Sequence, residues 1–211
     1  MLWPTHFLLG EKDLVFRRSG EIMKPVSLFV SPATRMLLSS EGLTTTLLGA
    51  LVGSRVRVRH AECRRVPGSA APAGAATLLG AGDKSQLLVR CSQLSTDVDG
   101  NGSGNGDGNG DGDGPTVSMN LVVARLEKCA GLERCLTDAT VPLGEALHGV
   151  GTGHRRTVLD VGCRPWPEAA GRLAAFKTYV LWHRDDPVLA INELFNPDLV
   201  PAAVRGAGHS R

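Results

Sequence analysis

Gln86-Leu87-Leu88-Val89-Arg90-Cys91-Ser92-Gln93-Leu94 and Val117-Ser118-Met119-Asn120-Leu121-Val122-Val123-Ala124-Arg125-Leu126 are two apolar runs rich in strand formers. Between them, glycine occupies every second position from Gly100 to Gly114. Two such runs on either side of a turn-forming segment read as neighbouring antiparallel strands. The glycine stretch has too little apolar surface to offset its ordering entropy, so residues 97–116 read as a flexible insertion that inflates the connecting turn. Loop-closure entropy grows only logarithmically with length, and the insertion costs roughly 1–2 kcal/mol without breaking the pairing. Its opening, Asp97-Val98-Asp99-Gly100-Asn101-Gly102, imitates the first half of a calcium-binding loop. The imitation fails at Gly108, where that loop needs a bidentate glutamate.

Upstream of the strand pair, Arg55-Val56-Arg57-Val58-Arg59 alternates basic and β-branched residues, the period-two pattern of a half-solvated strand. Before it, Leu43, Leu47, Leu48 and Leu51 stand at helical spacing within Ser39 to Val52 and predict one helix there. Downstream, Pro142 is placed to open a short helix, and the basic loop Gly151 to Arg156 precedes a strand-like Val158-Leu159-Asp160-Val161. Two final apolar runs, Phe176 to His183 and Pro187 to Phe195, are separated by Arg184-Asp185-Asp186 and read as a hairpin with its turn at Asp186-Pro187. Five or so strands with helices grouped early and in the middle describe an α+β single domain built on an antiparallel sheet.

Composition narrows the function. Among 211 residues, Lys and Arg number 23 against 21 Asp and Glu, a formal charge of +2, which gives no field for a dedicated nucleic-acid binder. Aromatic residues are 4% of the chain, too few for base- or sugar-stacking platforms. Cys63, Cys91, Cys129, Cys135 and Cys163 form no two-residue-gap pair and read as free thiols in a reducing compartment. No basic leader and no long apolar run marks a membrane span, so the expected location is cytoplasmic. His6, His60, His148, His154, His183 and His209 show no metal-binding spacing, no Gly-x-Ser-x-Gly elbow occurs, and no glycine pair has the phosphate-binding arrangement.

What remains is an acid in an apolar strand. In Val188-Leu189-Ala190-Ile191-Asn192-Glu193-Leu194-Phe195, alternation puts Leu189, Ile191 and Glu193 on one face. A buried acid needs a partner or a shifted pKa, although a strand-end glutamate that reaches solvent fits the same pattern. Arg90 shares a face with Leu88 and poses the same question. Facing inward, the two either bracket a small polar-ended ligand or pair with each other.

Gly42-Leu43-Thr44 before a helix, the Arg55-Val56-Arg57-Val58 strand, Leu88-Val89-Arg90, Val141-Pro142-Leu143-Gly144 and Glu193-Leu194-Phe195-Asn196-Pro197 occur in an order that resembles the chorismate pyruvate-lyase (4-hydroxybenzoate synthetase) family. The resemblance spans roughly residues 36 to 200. It leaves residues 1–35 as an N-terminal extension and 201–211 as a polar tail. It implies an antiparallel sheet with helices packed on one side around a closed pocket, and a lyase that splits chorismate into 4-hydroxybenzoate and pyruvate in aromatic biosynthesis. No metal and no organic cofactor is implied. Chorismate is the implied small-molecule partner, with no nucleic acid, membrane span or obligatory protein partner. By the same resemblance Arg90 holds the ring carboxylate, Glu193 contacts the ring hydroxyl, and both are catalytic. Leu43 and Leu143 meet the ligand through their backbone groups, and Gly144 gives close access. The glycine insertion and Asn196-Pro197-Asp198 depart from the family pattern.

Two other readings share the fold. A non-catalytic module that binds an aromatic carboxylate is similar to the effector-binding domains of a bacterial transcription-regulator family, although residues 1–35 are too few for the winged helix of such regulators. A sister enzyme on a related cyclohexadiene carboxylate keeps Arg90 and changes the surroundings of Glu193.

Overall fold

The computed structural model describes Phe16 and residues 25–97, 113–128, 131–149 and 154–205. The glycine stretch from 98 to 112, Cys129 and the start of the basic loop lie outside the described residues, as do the calcium-loop positions beyond Asp97. Six strands form one antiparallel sheet: β1 (Val56–Pro67), β2 (Gln86–Asp97), β3 (Asp113–Ala124), β4 (His154–Pro165), β5 (Leu173–His183) and β6 (Asp186–Phe195), in the spatial order β1-β2-β3-β6-β5-β4. Five helices accompany them: α1 (Pro32–Ser39), α2 (Thr44–Val52), α3 (Ala75–Leu78), α4 (Leu132–Thr137) and α5 (Leu143–Gly149). This is the expected α+β class.

The apolar runs at 86–94 and 117–126 fall in β2 and β3. They pair from Leu88 opposite Ala124 to Asp97 opposite Asp113, so the ladder continues to the edge of the inserted stretch. Their apolar residues are consecutive because both faces are covered. Leu88, Val122, Leu189 and Ile191 pack under Leu132, Leu136 and Leu147 of α4 and α5. Leu87, Val89, Leu121 and Ala190 point the other way and pack with Phe16 and with Ala75 and Leu79 at α3. On the α4–α5 face a second apolar cluster forms further along the strands, where Leu94 and Phe195 meet Phe29, Leu37, Leu38 and Leu48. β1 and β4 are the sheet edges. β1 buries only Val56 and Val66 fully, so the alternating arginines are the solvated side of an edge strand, where charge discourages pairing with another chain.

The helix expected from Ser39 to Val52 forms as α2 but starts later, at Thr44, after a separate helix α1. α1 ends at Ser39, the chain turns through Ser40 to Leu43, and α2 begins at Thr44. Ser40 Oγ accepts the Gly42 N–H at 3.0 Å, a local bond that competes with helix. The buried Lys177 of β5 donates to Leu37 O at 3.2 Å, Ser40 O at 3.3 Å and Thr44 Oγ1 at 3.1 Å, which ties both helix ends to the sheet. The final hairpin is also tighter than expected. His183 pairs with Asp186, so the turn is Arg184-Asp185, with Arg184 at φ 55, and Pro187 lies within β6 opposite Trp182.

Residues outside 36–200 join the same body. Ser31 caps α1 by accepting from Thr34 N, and Thr34 Oγ1 donates to Pro201 O at 2.9 Å. Phe29 is fully buried and bridges to Val204.

Candidate functional site

Strand register assembles the site. Ser92 of β2 faces Asn120 of β3, Asn120 faces Glu193 of β6, and Glu193 faces Lys177 of β5. Side chains of directly opposed residues share a face, so these four make one polar row across four strands. All four are buried. The adjacent row is Arg90, Val122, Ile191 and Tyr179. The polar row thus crosses the seam between the two apolar clusters on that face.

Above it lies a narrow cleft with a cavity volume of about 30 Å³. Its floor includes Ser92, Asn120, Glu193, Val122 and Ile191, and its roof is Thr44 and Thr45 of α2 with Leu143, Gly144 and Leu147 of α5. α2 and α5 meet at Gly144, where a Cβ would lie 3.4 Å from Thr45 Oγ1 and 3.6 Å from Leu43 Cδ2. Arg156 of β4 lines the cleft and donates one N–H to Glu41 O at 3.1 Å. Apolar walls with a few convergent polar groups are the usual composition of a small-molecule site.

The carboxylate of Glu193 is unevenly served. Oε1 accepts the Tyr179 hydroxyl at 3.2 Å, whereas Oε2 stands 3.8 Å from Lys177 Nζ and accepts no hydrogen bond. Burial pushes the Lys177 ammonium below its ordinary pKa, against the charge of Glu193, which favours the protonated form. Burial first, and the Glu193 charge second, hold the Tyr179 phenol well above its usual range, so Tyr179 acts as a hydrogen-bond donor. Asn120 Nδ2 donates weakly to Ser118 Oγ at 3.4 Å, and Asn120 Oδ1 has no partner.

Of the residues expected from the sequence, Glu193, Leu143 and Gly144 meet at this cleft. Leu43 lines a more open groove with Thr45, Gly49, Arg55 and His148 on the outer side of α2. Arg90 lies in the row beside the cleft but is not among the residues that line it. Its guanidinium donates to Cys135 O at 3.1 Å, Leu136 O at 3.2 Å and Val141 O at 3.3 Å, which satisfies carbonyls at the end of α4 and before α5. Arg90 and Glu193 therefore do not pair with each other. Sequence reasoning missed Asn120, Ser92, Lys177, Tyr179 and Arg156 as site residues. The alternation that picked out Glu193 also puts Lys177 and Tyr179 on one face of their strand, and that was the available signal. Among the described residues no three His, Cys, Asp or Glu side chains are grouped to hold a metal ion, and no helix is long and apolar enough to cross a membrane.

No family model matches the chain, and no curated protein matches it. Solved structures do. The chain is similar to PhnF from Mycobacterium smegmatis at 17% identity and a TM-score of 0.53, over 80% of this chain and 70% of that one. Against the effector domain of PhnF alone the identity is 17% and the TM-score 0.52, over 75% of this chain and 91% of that domain. The C-terminal domain of the histidine utilization repressor from Pseudomonas syringae pv. tomato matches at 11% identity and a TM-score of 0.47, over 72% and 98% of the two chains. The likeness is thus one of fold, and it falls on the effector domain. It corrects the expectation of an enzyme, a lyase acting in aromatic biosynthesis: the fold matched is that of an effector domain.

Proposed function

We propose that this chain is a ligand-binding module that takes up a small, flat, hydroxylated carboxylate in the cleft and responds to it without converting it. One observation carries the reading: a buried row of polar side chains, with acceptor atoms left unpartnered, forms the floor of a narrow cleft with apolar walls. Leaving such atoms unpaired costs about 1–3 kcal/mol each, a cost that a ligand relieves. Val122, Ile191, Leu143 and Leu147 suit an unsaturated ring, Arg156 supplies the cation for its carboxylate, and Glu193 receives its hydroxyl. Arg90 takes a bracing role, holding the 135–141 segment from which α5 and its Leu143 and Gly144 descend onto the ligand.

The likeness to an effector domain supports a regulatory setting. In PhnF the matched region is part of a longer chain, and the proposed output of this module is likewise a change passed to a partner domain.

The test is thermal unfolding with 4-hydroxybenzoate. At a concentration near 100 times Kd the ligand should raise the midpoint by roughly 5–10 °C, the recovered compound should be unchanged, and Glu193→Ala should abolish the shift. No shift with 4-hydroxybenzoate or 3-hydroxybenzoate, or a full shift in the variant, contradicts the reading.

A further inference from the structure

We propose that Asn120 and Glu193 act as a pair that selects ligands with two adjacent hydroxyl donors, a vicinal diol on the ring, over ligands with one. The inference rests on the ligand site proposed above and names the chemistry of one end of that ligand. Asn120 and Glu193 are Cα partners across β3 and β6, each 9% exposed, and both line the cleft. Directly opposed side chains start about 5 Å apart at Cβ, so the two unpartnered acceptors, Oδ1 of Asn120 and Oε2 of Glu193, belong to neighbouring side chains of one buried row.

The surroundings decide what kind of donor fits. Lys177 carries three N–H donors, and its three acceptors are Leu37 O, Ser40 O and Thr44 Oγ1. At 3.8 Å it offsets the charge of Glu193 while giving Oε2 no hydrogen bond. Tyr179 serves only the other oxygen. A cationic ligand group would meet the fields of Lys177 and Arg156, so charge is already balanced and a neutral donor is what the pair lacks. One hydroxyl has one proton and satisfies one acceptor. Two hydroxyls on neighbouring ring carbons satisfy both, and Ser92, facing Asn120 from β2, lies beside them as a further hydroxyl.

Calorimetric titration of the full chain with benzoate, 4-hydroxybenzoate and 3,4-dihydroxybenzoate tests this. The expected order is dihydroxy over monohydroxy by at least about 10-fold, with benzoate weakest. Asn120→Leu should erase the dihydroxy advantage, so that within this variant 3,4-dihydroxybenzoate binds no more than about twofold tighter than 4-hydroxybenzoate. Equal affinity of the two hydroxylated compounds for the native chain, or an advantage that survives Asn120→Leu, overturns the inference and leaves the ligand site standing. Absence of saturable binding by all three overturns both. The ranking on the unmodified chain needs no variant, so a misfolded Asn120→Leu does not rescue the proposal.

Discussion

Lys177 Nζ lies 3.8 Å from Glu193 Oε2 on the neighbouring strand, with the lysine side chain 1% exposed, and its hydrogen bonds run to the junction of α1 and α2. One buried cation thus balances the acid of the site and holds the roof above it. Removing one member of a buried pair leaves an uncompensated charge, which costs about 3–5 kcal/mol. Lys177→Met should therefore lose that much stability in urea unfolding. A loss below about 1 kcal/mol would show that the lysine does not anchor the roof.

Tyr179 gives a pH signature. Its folded-state pKa is raised above the ordinary 10.0, so its contribution is fully present below pH 10 and is lost as the unfolded phenol ionises above it. Tyr179→Phe should cost about 1.5–3 kcal/mol at pH 7, from the lost bond to a charged acceptor. The gap to the native chain should close above pH 10 by up to about 1.4 kcal/mol per pH unit. Unfolding measured from pH 7 to 11 checks this, and a constant gap would contradict a neutral, buried Tyr179.

Arg90 and Arg156 should behave differently. Arg90 braces three carbonyls, so Arg90→Ala should destabilise the fold by about 2–4 kcal/mol and weaken 4-hydroxybenzoate and the uncharged 4-hydroxybenzaldehyde alike. Arg156→Gln should leave stability nearly unchanged and weaken only the carboxylate, by about 10-fold or more. Selective loss of the carboxylate in Arg90→Ala would restore Arg90 as the direct anion holder.

The opposite face of the sheet should be separable from binding. Gly74 has φ +81, and a Cβ there would collide with the Phe16 carbonyl, whose N–H donates to Ala73 O at 2.8 Å. Gly74→Ala should cost about 2–4 kcal/mol by forcing Phe16 and α3 off Val89 and Leu121. Ligand affinity of the folded fraction should not change. A selective loss of affinity would mean that the two faces are coupled.

Local pattern carried most of the sheet. The runs at 86–94 and 117–126 are neighbouring strands because their β-branched and leucine residues recur on both parities, and the final hairpin is visible from its charged break. The later start of the helix at Thr44 was not legible, since Lys177, which bonds the turn before it, is far away in sequence and reaches it only through the fold. The same holds for the site. Glu193 stood out as an acid in an apolar strand, but Asn120 and Lys177 become its neighbours only through β3–β6 and β5–β6 register. Arg90 stood out equally, and the carbonyls that occupy it belong to a segment whose position no spacing rule supplies. Activity was the least legible, because a pocket of this composition serves binding and catalysis alike.

The most direct measurement is backbone amide chemical-shift mapping on titration with 4-hydroxybenzoate. A binding module with its ligand on the polar row should show saturable shifts at Ser92, Asn120, Tyr179 and Glu193 and at Thr45 and Gly144 of the roof, with no new ligand signals appearing over hours. Shifts confined to the outer groove of Arg55 and His148, or none at saturating ligand, would contradict it.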